Sequence, residues 1–203
     1  MKKCSPDFRL PIILAIAHLL LYFTYQNNDV FWYIYTAAIL YLISMAIIHE
    51  KMDDFLPFSK YILWGLLSGI FLYGIFWTGR MLLGFGFSEL VADVKSLYRH
   101  YSPLMIWHYL VLILIIIPGE EVFWRGFVQK RLTRYFSQKL SIVLSALMYA
   151  FPMIYAENTV LVIAGITGGL MWGWLYAWKK SLPAVIVSHI VFDFLLLEFL
   201  PLG

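Results

Sequence analysis

The sequence predicts an all-α polytopic bundle of about seven transmembrane helices. Of its 203 residues, 62% are hydrophobic and only 13% are charged, and the mean hydropathy is +0.79. A soluble domain of this length cannot bury so much apolar surface, whereas helices that face lipid can leave it exposed. The apolar residues also fall into runs of roughly 15 to 25, the length that crosses about 30 Å of hydrocarbon. No linker or low-complexity tract divides the chain, so residues 1–203 are predicted to form one integral membrane domain.

The predicted spans follow the apolar runs in order. The fourth run is short because Pro118 and Gly119 interrupt it, and its helix can resume through the polar residues beyond them. An eighth span stays open, in which Ser88 to Tyr101 forms a re-entrant or interfacial helix. The predicted spans are Leu10 to Tyr25, Phe31 to Ile48, Tyr61 to Phe85, Leu104 to Ile117, Leu140 to Tyr155, Val160 to Trp178 and Leu182 to Leu200.

The distribution of basic residues predicts the orientation. Cytoplasmic loops carry an excess of Lys and Arg. With the N-terminus inside, 11 of the 15 Lys and Arg residues fall in cytoplasmic segments, whereas only Arg80, Lys95 and Arg99 fall in external ones. Lys2 and Lys3 precede an apolar run that lacks a small-residue cleavage site, which is typical of an uncleaved signal anchor. The sequence therefore predicts a multi-pass protein of the cell membrane with a cytoplasmic N-terminus.

Cysteine content and charge exclude two kinds of site. Cys4 is the single cysteine, which excludes an internal disulfide and a cysteine-based metal site. The formal charge of +3 is spread over several loops, a pattern that fits anionic lipid headgroups better than nucleic acid.

A cluster of charged residues follows the fourth apolar run, in the string PGEEVFWRGF. Ionisable side chains at bilayer depth cost roughly +2.5 to 3.5 kcal/mol each, so such a cluster indicates a functional site. On a helix Glu121 and Arg125 are neighbours four residues apart, whereas Glu120 is rotated by about 100°. We expect Arg125 to neutralise Glu121 and leave Glu120 as a general base that activates water. The alternative is a structural ion-pair cluster that joins helices.

The seventh predicted span supplies a second polar pair, His189 and Asp193 in SHIVFDF. On one helix face the two residues can stabilise an oxyanion, or bind a metal ion together with a glutamate from the fourth span. A His–Asp pair alone is more often an interhelical hydrogen bond. No charged residue occurs between Leu10 and Gln26 or between Phe31 and Ile48, so the chemistry is expected in the C-terminal half.

The two motifs together resemble the CPBP or Abi family. Its members are the CAAX-processing and bacteriocin-processing intramembrane endopeptidases, relatives of the type II CAAX prenyl endopeptidases. The resemblance covers about Leu104 to Leu200 and implies a core of the catalytic type at residues 104–200. The catalytic residues that it implies are Glu120, Glu121, Arg125, His189 and Asp193.

The family pattern also implies a role for each residue. Glu120 is expected to activate the attacking water, with support from Glu121 and Arg125. His189 with Asp193 is expected to stabilise the oxyanion of the tetrahedral intermediate. The resemblance leaves open whether a divalent metal such as zinc takes part or whether protein groups act alone.

The chain departs from the family pattern at one position. The family's middle motif, F-x-x-x-H, supplies a histidine that helps to hold the water. In SALMYAFPMIY the aromatic position is Tyr149 and the histidine position is Met153. A thioether accepts a water proton poorly and binds hard metal ions poorly. Met153 is therefore not expected to hold the water as the family histidine does, or to complete a two-histidine metal site. Tyr149, Tyr155 and Asn158 are candidates to substitute in part.

Two functions follow from the resemblance. The first is a bacterial glutamate-type endopeptidase that cleaves a membrane-proximal peptide, such as a bacteriocin leader, or a small membrane protein. The second is a non-catalytic scaffold, regulator or bacteriocin-immunity protein that binds such a partner, with Met153 facing the cavity of Glu120 and His189. A proton-coupled transporter is a third class, but the chain has no evident internal repeat. The expected partners are the lipid bilayer and a peptide or small membrane protein.

Overall fold

The computed structural model describes residues 8–203 and confirms the predicted all-α class. Within that range six helices are long and apolar enough to cross a membrane, and Arg9–Tyr25 is a shorter apolar helix. The described residues contain no strand beyond an isolated bridge between Asp54 and Ser181. Lys2, Lys3 and Cys4, which bear on the predicted signal anchor, lie outside the described residues.

Residues 8–203 form eight main helices. Seven of them match the predicted spans, and the eighth is an amphipathic helix of 14 residues at Ser88–Tyr101. At 1.5 Å per residue this helix is too short to cross the bilayer, so it fits the interfacial alternative. In chain order the helices are α1 Arg9–Tyr25, α2 Phe31–His49, α3 Phe58–Leu83, α4 Ser88–Tyr101, α5 Ile106–Leu132, α6 Gln138–Ala156, α7 Thr159–Lys179 and α8 Leu182–Phe199.

Helix α5 does not stop at Pro118, so the predicted end of the fourth span at Ile117 is wrong, whereas the expected continuation of the helix through the polar residues is confirmed. The helix continues to Leu132 and contains two stretches of wider π-helical turns, Leu112–Ile116 and Val122–Gln129. In a regular α-helix a proline ring collides with the carbonyl four residues earlier. That carbonyl lies within the first π-helical stretch, where the wider turn relieves the collision. The acidic cluster therefore lies in the middle of one continuous helix.

Glycines allow neighbouring helices to approach closely around this cluster. A Cβ atom at Gly119 of α5 would lie 2.2 Å from Ile39 Cγ2 of α2. A Cβ atom at Gly169 of α7 would lie 3.0 Å from the Cα atom of Ala146 in α6. Both distances are shorter than ordinary van der Waals contact. A larger side chain at either glycine therefore forces the helices apart.

Polar contacts join three loops on one side of the bundle. Glu50 Oε2 lies 3.4 Å from Arg131 Nε, and Asp53 Oδ1 lies 2.6 Å from Lys130 Nζ. The N–H of Leu182 donates to the carbonyl of Asp53 at 3.1 Å. The loop after α2, the end of α5 and the α7–α8 turn therefore meet. The charge distribution assigned all three segments to the same side of the membrane.

Candidate active site

The five residues predicted from the sequence lie in one cluster in the interior of the bundle. Glu120, Glu121 and Arg125 project from the middle of α5, and all three are buried. His189 and Asp193 project from α8, with His189 buried and Asp193 partly buried. Arg125 lies in the π-helical stretch Val122–Gln129, and short π-helical segments are frequent at functional sites.

Glu121 lies at the centre of the charged contacts. Arg125 Nε lies 3.2 Å from Glu121 Oε2, and Arg125 Nη1 donates to Oε1 at 3.2 Å. His189 Nδ1 lies 2.7 Å from the same Oε1. The predicted pairing of Glu121 with Arg125 is therefore confirmed, and His189 joins it. Because a carboxylate only accepts, we assign the proton of this contact to Nδ1 of the imidazole.

The Nε2 atom of His189 lies on the other side of the ring from Glu121. Nε2 lies 3.8 Å from Glu120 Oε2 and 3.7 Å from Asp193 Oδ2. Both distances exceed a direct hydrogen bond. Glu121 thus fixes the imidazole at Nδ1, and Nε2 faces the carboxyl groups of Glu120 and Asp193.

Aromatic rings enclose the charged centre. The guanidinium carbon of Arg125 lies 4.7 Å from the ring centre of Tyr149 and 5.4 Å from that of Trp172. Trp172 also stacks on His189, with ring centres 3.7 Å apart and an interplanar angle of 22°. Sequence reasoning did not assign Trp172 to the site, because the inner face of α7 carries no charged side chains that would mark it.

Glu120 has a separate set of partners, as its rotation from Glu121 predicts. The hydroxyl of Tyr35 donates to Oε1, and the hydroxyl of Tyr149 donates to Oε2 at 3.2 Å. Tyr35 belongs to α2, so a residue of the N-terminal half also contacts the predicted cluster. A phenol is uncharged, and a search for charged residues therefore overlooked it. The close approach at Gly119 brings α2 within reach.

A small cavity of about 10 Å³ lies beside Glu120, close to the minimum space for one water molecule. Tyr149 and Met153 line it together with Glu120. The sulfur of Met153 packs against α7, where a Cβ atom at Gly165 would lie 2.4 Å away. Met153 therefore faces the predicted cavity. His189 is not among the described residues that line it, so that part of the expectation is wrong.

The candidates to replace the family histidine have different surroundings. Of the three candidates, Tyr149 is the one that donates a hydrogen bond to the Glu120 carboxylate among the described contacts. The hydroxyl of Tyr155 instead pairs with His18 Nε2 at 2.8 Å. Asn158 accepts from the N–H of Leu161 and caps α7. Tyr149 is therefore the substitute that the geometry favours.

Within residues 8–203 no group of three or more His, Cys, Asp or Glu residues is arranged to hold a metal ion. Glu121 is engaged by Arg125 and by His189 Nδ1. The resemblance left the participation of zinc open, and these contacts do not test it.

Comparison with known proteins confirms the resemblance. Residues 102–195 match the sequence model of a family described as type II CAAX prenyl endopeptidase Rce1-like, over just under half of the chain. The matched range contains Glu120, Glu121, Arg125, His189 and Asp193. No curated protein and no solved structure matches the chain. The C-terminal half of this multi-pass membrane protein is thus similar to the Rce1-like type II CAAX prenyl endopeptidases.

Proposed function

We propose that this protein is an intramembrane endopeptidase in which Glu120 activates water for attack on a peptide bond. The placement of Glu120 carries the proposal. Its carboxylate is buried in the middle of a membrane-spanning helix and accepts hydrogen bonds from Tyr35 and Tyr149 beside a cavity of about 10 Å³. Since a buried carboxyl in hydrocarbon is costly, its retention there with positioned donors favours a chemical role. The family match supports the same reaction class.

Each step of the proposed reaction uses a group in this cluster. Glu120 takes a proton from the water while the water oxygen bonds to the carbonyl carbon. His189, protonated at both ring nitrogens and held by Glu121 at Nδ1, donates its Nε2–H to the oxyanion of the tetrahedral intermediate. Asp193 balances the positive charge of this imidazolium. When the C–N bond breaks, Glu120 returns the proton to the leaving amine.

Arg125 and Tyr35 are proposed as positioning residues. Arg125 balances the charge of Glu121, which in turn orients His189. Tyr35 and Tyr149 each hold one oxygen of the general base. A base fixed at both oxygens keeps its geometry through the reaction, which is the condition for efficient proton transfer. The proposed substrate is a membrane-proximal peptide or a small membrane protein.

The proposal is tested by cleavage in reconstituted vesicles. Purified protein is incorporated with a library of membrane-anchored peptides, and new termini are identified by mass spectrometry. Glu120→Gln should lower cleavage by at least about 10²-fold, the usual contribution of a positioned acid–base group. Glu89→Gln is the matched control, because Glu89 is exposed in the first turn of α4. Cleavage that survives in Glu120→Gln contradicts the proposed mechanism, and the absence of wild-type cleavage contradicts the proposed activity.

A second candidate function rests on Met153. Its side chain lines the cavity beside Glu120 at the position where the family has a histidine. A non-catalytic scaffold, regulator or bacteriocin-immunity protein that binds a peptide in this cavity fits that substitution. On this alternative Glu120→Gln retains partner binding, and neither the variant nor the wild type cleaves the partner.

The orientation is proposed from the charge distribution. The segments that meet beside Lys130 and Asp53 are assigned to the cytoplasm, with the N-terminus on the same side of the cell membrane. In a Cys4→Ser background, Asn28→Cys should react with an impermeant thiol reagent in intact cells. The unmodified Cys4 of the native chain should not react. Labelling of Cys4 in place of the cysteine at residue 28 reverses the assignment.

A further inference from the structure

A second cavity, of about 360 Å³, lies between α3, α4 and α7. None of the five candidate catalytic residues lines it. Its walls are mainly apolar and include Phe76 and Gly79 of α3, Leu90 and Val94 of α4, and Ala164 of α7. The volume is within the range of small-molecule sites, about 300 to 1,000 Å³.

The position of this cavity defines what can occupy it. Helix α4 combines charged residues with an apolar side formed by Leu90, Val94 and Leu97, all of which line the cavity. An amphipathic helix of this kind lies in the membrane interface with its apolar face toward the acyl chains. Water gains few hydrogen bonds against such walls, and an empty space forfeits dispersion contacts. The surroundings therefore favour a flexible hydrocarbon chain.

A positive charge lies at the edge of the cavity. Arg80 is one of the lining residues, and its Nε atom donates to the carbonyl of Leu202 at 2.8 Å. This hydrogen bond fixes the guanidinium group beside the cavity. Lys95 and Arg99 are exposed on the same amphipathic helix that covers the cavity. An occupant with an apolar chain and an anionic head complements both features.

We propose that this cavity binds one acyl chain of a phospholipid, with the lipid phosphate against Arg80. The chain occupies the space between α3 and α7, and α4 covers it from the membrane interface. The phosphate meets Arg80 because guanidinium groups bind phosphate oxygens with two parallel donors. The site is separate from Glu120, so it stands whether or not the protein is a protease.

Two glycines of α3 provide a matched test. A Cβ atom at either Gly74 or Gly79 meets nothing within 4 Å, so both positions accept a larger side chain. Gly79 lines the cavity, whereas Gly74 is not among the described residues that do. Leucine also favours a helix more than glycine, so neither substitution should impair folding. Gly79→Leu fills the cavity, and Gly74→Leu is the control.

The assay measures contact with a defined lipid. The protein is reconstituted in phosphatidylcholine vesicles that contain trace phosphatidylglycerol with a photoreactive diazirine at the end of one acyl chain. Labelled residues are then identified by mass spectrometry. Labelling should concentrate on the cavity walls and should fall several-fold in Gly79→Leu but not in Gly74→Leu. Equal labelling of all three proteins, or labels spread evenly over lipid-facing surfaces, indicates only the surrounding bilayer and overturns the proposal.

The headgroup contact is tested through the charge of Arg80. Arg80→Gln keeps a donor for the Leu202 carbonyl but removes the positive charge. Labelling by the phosphatidylglycerol probe should fall several-fold, whereas labelling by an uncharged diacylglycerol probe with the same chain should not. An equal response to the two probes overturns the assignment of the phosphate to Arg80.

Discussion

Removal of Arg125 should destabilise the folded protein far more than neutralisation of Glu120. Arg125 is 1% exposed and Glu121 is 0% exposed, and two guanidinium nitrogens contact the Glu121 carboxylate at 3.2 Å. Arg125→Ala leaves that carboxylate with His189 as its remaining partner in the cluster. The substitution also removes the cation from between the rings of Tyr149 and Trp172.

The expected magnitude follows from these contacts. Removal of one member of a buried ion pair typically costs about 3 to 5 kcal/mol, because the other charge is left buried without its partner. The ring contacts contribute to the same loss, and they do not simply add to it because the groups touch one another. A loss of this size corresponds to about two to four powers of ten in the folding equilibrium constant. Glu120→Gln keeps the shape of the side chain and can still accept from Tyr35, so its cost should be nearer about 1 kcal/mol.

The measurement requires no substrate. Unfolding of each variant is followed by tryptophan fluorescence in mixed micelles with increasing mole fraction of a denaturing detergent. Arg125→Ala should unfold at a much lower fraction than Glu120→Gln, and Arg125→Lys should lie between them because it keeps the charge but loses the planar fork. If Arg125→Ala and Glu120→Gln lose equal stability, the assignment of a structural role to one residue and a chemical role to the other is wrong.

Three further perturbations test the site and its surroundings. Met153→His should create cleavage or increase it by about 10² to 10⁴-fold, and adding Glu120→Gln should abolish that gain. The binding-only function is contradicted if the wild type cleaves robustly and Met153→His does not change the rate. Tyr35→Phe should lower kcat more than it raises KM, while Tyr33→Phe, at an exposed position of the same helix, should change neither; equal effects of the two variants contradict the positioning role. Although burial raises the pKa of Asp53, hydrogen bonds from a lysine and a tyrosine lower it more, so the net shift is downward. The stability from these contacts is present above the ordinary pKa of Asp and is lost as pH falls through the lowered pKa. Asp53→Asn should therefore flatten the acid limb of stability against pH, and an unchanged limb contradicts the assigned contacts.

Local sequence patterns determined the membrane class of this protein and the position of its charged residues. Runs of apolar residues defined the membrane class, because each run is long enough to cross the hydrocarbon layer and helices satisfy their own backbone hydrogen bonds. The spacing of Glu121 and Arg125 predicted their contact, since residues four apart on a helix are neighbours wherever the helix is placed. The second polar pair, His189 and Asp193, was found in the same way.

Other features depended on contacts between distant parts of the chain. Tyr35 and Glu120 are 85 residues apart, and a neutral phenol in an apolar helix carries no signal of its partner. Trp172 stacks on His189 from α7, whose inner face carries no charged side chains that would mark it. The sequence therefore determined the membrane spans and the charged residues, whereas helix packing alone decided which neutral side chains surround Glu120.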